Sequence, residues 1–273
     1  MSIAKKMQLY KYVTMDRLKN ILIDHTIRFT QPGAFNDPFE LVPRLVVPEG
    51  YVRQGRVSYE FSLAAPRRPI EFDYTKADEE RCHDRHSREL RESLDAHVGF
   101  LSLSKTWKSL PMWAHYAEAF AGAVIEFDGN HEFFEWTFEV QYSRDRPIRD
   151  VTLYFEEEIP ISEVCDKSIE WRFEKEVRVA RNLMDCKLKG MSGNFPVYVA
   201  DVPPECIRGV ILGERVDNLE CKEIYDLIEE SRITGDRAVI DHWTYALDRT
   251  PFKLSGPKQS WFTFRNYRNF PSL

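Results

Sequence analysis

The sequence predicts an α+β fold in which a split, mainly antiparallel β-sheet is flanked by helices and carries a helical insertion before Gly99. Three observations lead there. The chain opens as strand, helix, strand over QLYKYV, MDRLKNILID and TIRFTQ. Short apolar or alternating runs bounded by Pro, Gly and Asp then recur, among them GFLSLSK, AVIEFD, FPVYVA and IRGVILG. Between Val46 and His97 the character changes to charged residues with few large apolar ones, and Ala77 to Ala96 reads as a polar helix touching the body through Cys82, Leu90 and Leu94. The expected organisation is one domain over 1–273, with the insertion at about 46–98 and an aromatic, Arg-rich tail at about 257–273.

Composition sets the class. Hydrophobic residues make up 43% of 273 positions and aromatics 13%, enough for a proper core. No apolar run approaches a membrane span and MSIAKKMQLY has no hydrophobic signal core, so the expectation is a cytoplasmic protein without a membrane partner. Cys82, Cys165, Cys186, Cys206 and Cys221 are scattered without CxxC spacing, which favours reduced thiols over disulfides or zinc. Cys82, His83 and His86 lack a matching second cluster, so no metal is expected. The net charge of −6 repels a polyanion overall, although a local basic groove can still bind one. GxGxxG, P-loop, GxSxG and HExxH patterns do not occur, which removes the commonest nucleotide and hydrolase readings.

The elements follow from local chemistry. Thr14 is placed to cap a helix whose stripe is Leu18, Ile21 and Leu22, with Asp16 at its positive end. In FNDPFE, Asp37 as cap, Pro38 as first helical residue and Glu40 at the third position form a capping box around one turn. Such a turn would hold Asn36 or Asp37 rigidly at a pocket mouth. In GFLSLSK, Ser102 and Ser104 share one strand face with Phe100. PMWAHYAEAF suits a helix with Trp113, Tyr116 and Phe120 along one side, ended by Gly122. The segment Ile148 to Lys167, containing EEEIP, reads as a solvated acidic surface. Asp217 and Glu220 form a second capping box, and RAVIDHWTYAL, after a Thr234-Gly235-Asp236 turn, reads as a closing strand.

The chemistry-bearing stretch is IEWRFEKEVRVAR, Ile169 to Arg181. From Phe173 the residues alternate, with Phe173, Val177 and Val179 on one side and Glu174, Glu176 and Arg178 on the other. Carboxylates at i and i+2 of a strand stand roughly 6 to 7 Å apart on one face and can act on one small ligand. By itself such a pair is more often a solvated face matched to neighbouring strands.

Taken together, LYKY, FNDPFE, SLSKTWKSLPMWAHYA, GAVIEFD and WRFEKEVR resemble an uncharacterised bacterial domain family known by those motifs. More distantly, the arrangement resembles ADP-ribosyltransferases of the DNA-targeting toxin type, which open with a strand of the type YHxT and a helix of the type NLxxIL, as LYKYVTMDRLKNIL does here. The resemblance implies NAD as substrate, Glu176 as catalytic carboxylate, Glu174 as its substrate-side partner and Ser104 as support. It further implies that Lys11, standing where the opening motif has His or Arg, orients the dinucleotide with Asn36. Tyr12 and Tyr116 would pack around the nicotinamide, and Ser102 and Trp113 would complete the cofactor-facing set. A toxin or phage-defence effector acting on nucleic acid or protein, restrained by an antitoxin or other partner protein, is the implied role.

Competing expectations are a non-catalytic nucleotide-binding or regulatory module of the same fold, and a nucleic-acid-binding effector using Trp261, Phe262, Phe264, Arg265, Tyr267, Arg268 and Phe270 of the tail. A metal-dependent nuclease using Glu174, Glu176 and Asp128 has suitable residue types but no specifying spacing.

Overall fold

The computed structural model describes residues 7–46, 56–59, 70–73, 79–150, 165–241 and 243–253. The aromatic tail lies outside the described residues.

The opening unit forms as its sequence dictates. Strand β1 (Gln8–Val13) leads into helix α1 (Met15–Asp24), capped by the Thr14 hydroxyl accepting from the Arg17 amide, and the chain returns as β2 (Thr26–Phe29). After β3 (Arg44–Val46), β4 (Arg56–Tyr59) and β5 (Ile70–Asp73) comes α2 (Glu79–His97), whose Leu90 and Leu94 are fully buried. Then follow β6 (Val98–Ser104), α3 (Leu110–Tyr116), β7 (Ala123–Asp128), β8 (Thr137–Glu139), β9 (Gln141–Ser143) and β10 (Ile148–Asp150). The last third holds β11 (Asp166–Ser168), β12 (Glu176–Asn182), β13 (Lys187–Ser192), β14 (Phe195–Asp201), β15 (Ile207–Leu212), α4 (Asn218–Ile228), β16 (Thr234–Ile240) and β17 (Leu247–Lys253).

The fold is mixed α+β with few helices. Its main sheet has eight strands in the order β17-β16-β15-β7-β1-β6-β12-β8, every pairing antiparallel except β15 with β16. Alternation gives the sheet two buried faces. Leu9, Val13, Leu101, Leu103, Val177 and Val179 pack against α1 and α4, while Tyr10, Tyr12, Trp113 and Val124 form the cluster on the α3 side. Among the described residues no helix is long and apolar enough to cross a membrane.

Three local expectations are corrected. The expected closing strand is a hairpin, β16 and β17, that breaks after Ile240 and begins at Thr234 rather than after a turn there. The ExE pair does not share a strand: Glu174 ends a 3-10 stretch, Ile169–Glu174, Lys175 takes a left-handed conformation (φ 44°), and β12 begins at Glu176. The aromatic helix stops at Tyr116, because Glu118, Ala119 and Phe120 all have positive φ (49°, 50° and 72°).

This left-handed turn is imposed by tight backbone approach. The Gly122 amide donates to Ala117 O at 2.8 Å and the Arg215 amide to Phe120 O at 3.0 Å. A Cβ at Gly213 would lie 2.0 Å from Phe120 O, and one at Gly122 would lie 2.4 Å from Val13 O, so only glycine lets the strands close there. A left-handed Ala costs about 1–2 kcal/mol. Ala119→Gly is therefore expected to stabilise the protein by roughly 0.5–1 kcal/mol, after the extra entropy of an unfolded glycine, whereas Ala119→Val destabilises it. Urea midpoints of the two variants check this.

Candidate functional site

Five charged side chains from three separated segments meet in the interior: Glu40, Lys167, Glu174, Glu176 and Arg178, each at most 7% exposed. Each is delivered by local structure. The Asp37 carboxylate accepts from the Phe39 amide at 2.9 Å, capping the turn as expected. Glu40 does not complete the capping box; it turns inward, and Arg91 of α2 holds the turn from outside by donating to Pro38 O at 2.6 Å and Glu40 O at 3.3 Å. Lys167 sits in the middle of β11, paired in parallel with Tyr142 of β9. It is 7% exposed, so the acidic segment that ends with it is not a solvated surface at this point. The left-handed Lys175 swings Glu174 back beside Glu176, and its carbonyl accepts from the Lys105 amide at 3.1 Å.

The geometry centres on the Lys167 ammonium. It lies 2.7 Å from Glu174 Oε2, 3.2 Å from Glu176 Oε2 and 3.3 Å from Glu40 Oε2. Arg178 grips Glu176 with both Nε (2.8 Å) and Nη2 (2.9 Å), and its Nη2 also donates to Glu40. The Arg178 guanidinium rests over the rings of Phe35 and Phe100 at 5.3 and 5.9 Å. Three carboxylates face two cations, so one negative charge is in excess when all are ionised.

That excess falls on Glu174, which has no contact with Arg178. Burial raises the Glu174 carboxyl above its usual range, Lys167 pulls it down and neighbouring Glu176 pushes it up again. Burial works in the same direction on Glu176, but Arg178 and then Lys167 overcome it and hold that carboxyl well below the usual range. For Lys167, burial would favour the neutral amine, yet Glu176, Glu40 and Glu174 together raise its pKa and keep it charged.

Glu174 also connects the cluster to the surface. Tyr116 donates its hydroxyl to Glu174 Oε1 at 2.6 Å and accepts from the exposed Asn36 amide at 3.1 Å. Half-buried Trp171 and Phe173 and exposed His115 continue the rim, with successive ring centroids 5.9 and 6.3 Å apart. Lys167 Nζ lies 5.0 Å from the Trp171 ring centre. On the other flank a cavity of about 210 Å³ is lined by Asp37, Arg146, Lys167 and Ser168 among others.

The structure brings together Asn36, Tyr116, Glu174 and Glu176 from the residues singled out in the sequence. Ser104 is beside them in a structural role, its hydroxyl donating to Glu174 O at 2.6 Å and accepting from the Thr106 amide at 3.1 Å. A hydrogen bond from Ser102 lowers the Glu176 pKa further. Tyr12 is buried, donating to Thr106 O at 3.1 Å, and stands edge-on to Trp113 at 5.5 Å. Trp113 is fully buried with Nε1 donating to Trp107 O at 2.7 Å, so it presents no open ring to a ligand. Lys11 projects from the side of β1 that carries Leu9 and Val13, whereas Glu176, paired with Ser104, lies on the opposite side of the sheet. Lys11 therefore does not share the cavity of Glu176; its ammonium donates to Ser102 O at 2.8 Å.

Sequence reasoning assigned no site role to Glu40, Lys167 or Arg178. Glu40 and Arg178 stand inside FNDPFE and WRFEKEVR, so the motifs contained them; nothing in the residues around Lys167 marks it as buried. Among the described residues no group of three or more His, Cys, Asp or Glu is arranged to hold a metal ion. Comparison with family models, with curated proteins and with solved structures found no match for this chain.

Proposed function

We propose that this site is an ADP-ribosyltransferase-type centre that takes NAD as substrate, with Glu174 and Tyr116 meeting the ligand and Glu176 held behind them. The observation that supports this most is the chain of hydrogen bonds from exposed Asn36 through Tyr116 to Glu174, ending in a cluster with one negative charge in excess. When the bond between nicotinamide and ribose breaks, its electron pair leaves with the nicotinamide and the ribose carbon becomes cationic. A fixed, water-poor negative charge at Glu174 stabilises that cation more than it stabilises neutral ribose. The acceptor then bonds to the same carbon and gives up its proton, for which Glu174, with its raised pKa, is a suitable base. Asn36 and the aromatic rim would orient the nicotinamide end.

The test is nicotinamide release from NAD by purified protein supplied with protein and nucleic-acid acceptors. Wild-type protein is expected to release it, and Glu174→Gln to lower the rate by about 10²–10³-fold. Equal rates would refute the assignment. A second reading, a non-catalytic nucleotide-binding or regulatory module, is favoured by one observation: both carboxylates are nearly covered, Glu174 at 3% and Glu176 at 5% exposed, and both are already engaged, Glu174 by Tyr116 and Lys167 and Glu176 by Arg178 and Lys167. Calorimetry separates the two, because a binding module gives heat with NAD but no nicotinamide.

A further inference from the structure

The edge of β6 has a gap. Strand β1 pairs with β6 at Tyr10 and Ser104 and then leaves it, while Thr30, just after β2, bonds the other end, exchanging both backbone hydrogen bonds with Phe100 at 2.8 and 2.9 Å. Ser102 lies between these two points, and its peptide, in phase with that of Phe100, faces the opening rather than a strand. Lys11 reaches into the opening from β1 and bonds Ser102 O. Antiparallel register from Thr30 and Phe100 carries Arg28 of β2 to the level of Ser102 from the other side. Arg17, exposed in the first turn of α1, lies close enough that its charge acts on both.

Among the described residues these three cations have no paired counter-charge. None of the three side chains has an ion-pair partner among the described residues, and Arg28 Nε is buried without a hydrogen-bond partner. Burial first, then the positive charges of Arg17 and Arg28, push the Lys11 pKa down to about 8; Glu176 and Glu174 pull in the other direction from across the sheet without cancelling this. Burial and Arg17 likewise lower Arg28. Of the acids at the ends of the flanking elements, Asp24 is engaged by Lys189 and Asp201 by Lys187. Half-buried like charges with unused donors are costly unless an anion joins them.

We propose that Lys11, Arg28 and Arg17 form a binding site for a phosphate or diphosphate group at the gap between β1 and β2. Two half-buried donors give it depth and the exposed arginine gives it a mouth, which fits a small oxyanion with several acceptors and not a neutral ligand. The site stands on its own observations and does not require the transferase reading.

Calorimetric titration at constant ionic strength tests it, with inorganic pyrophosphate in one arm and ADP in the other. Saturable binding of pyrophosphate is expected, weakened roughly tenfold or more by Arg28→Met, by Lys11→Met and by Arg17→Gln. Lys222→Gln, on an exposed helix face, is expected to change nothing. ADP binding tighter than pyrophosphate identifies a nucleotide as the source of the phosphate, and equal binding identifies the free anion. Arg17 is exposed, so its variant reports on the site even if the two inner variants fail to fold. Absence of saturable binding in both arms, or wild-type affinity in Arg17→Gln, would overturn the proposal.

Discussion

Arg178→Met is expected to cost about 3–5 kcal/mol of stability at neutral pH, the penalty for removing one partner from a buried ion network. Arg178 is fully buried and supplies two of the hydrogen bonds that hold Glu176 and another to Glu40. Without it those carboxylates remain in the interior with Lys167 as the one cation left in the cluster. The loss of ring contacts to Phe35 and Phe100 adds to the deficit. Arg178→Lys is expected to recover little, because an ammonium cannot reproduce a fork that grips one carboxylate while reaching a second. Urea denaturation at pH 7.5 reads the effect. A deficit under about 1 kcal/mol would place Arg178 among surface-like pairs.

Lys167→Met is expected to produce a deficit of similar size but with a distinctive pH dependence. Three carboxylate oxygens now point at one ammonium, within 2.7–3.3 Å. Removing that charge raises the folded-state pKa values of Glu174 and Glu176 relative to the wild type, because Lys167 pulls both down, and a buried cluster with a single remaining cation favours at least one proton. A carboxyl raised above its unfolded value of about 4.3 destabilises the fold at higher pH, and the penalty disappears as pH falls through the folded value. In the wild type the depressed Glu176 acts oppositely: its stabilisation is present above about 4.3 and is lost as pH falls through its folded value. The gap between wild type and variant should therefore be widest near neutrality and narrow towards pH 5. Parallel stability curves across that range would contradict the arrangement.

Much of the fold was legible because it is written in local patterns. Thr14 before an amphipathic run placed α1, alternation in GFLSLSK placed β6, and Asp217 placed α4. The failures have physical causes. Lys175 has φ 44° without being glycine, so the composition around it reads as continuous strand and hides the bend that brings Glu174 back. Glu118, Ala119 and Phe120 have helix-compatible side chains, and their left-handed turn is dictated by Gly122 and Gly213, the latter far along the chain. Lys167 was unreadable for a different reason. A lysine in an acidic stretch looks the same whether its carboxylates are local and wet or distant and dry; here its partners are Glu40, Glu174 and Glu176. Alternation did carry the information that Lys11 and Tyr12 project to opposite sides of β1, which is why Lys11 lies apart from Glu176.

Lys167 and Glu174, 2.7 Å apart in the interior, act as one coupled unit, and a double-mutant cycle measures that coupling directly. Stability is determined for wild type, Lys167→Met, Glu174→Gln and the pair together at pH 7.5. The doubly substituted protein is expected to lose less than the two single losses combined, by about 1–3 kcal/mol. Losses that add to within about 0.5 kcal/mol would show that the two side chains do not sense each other, contradicting both the buried network and the site built upon it.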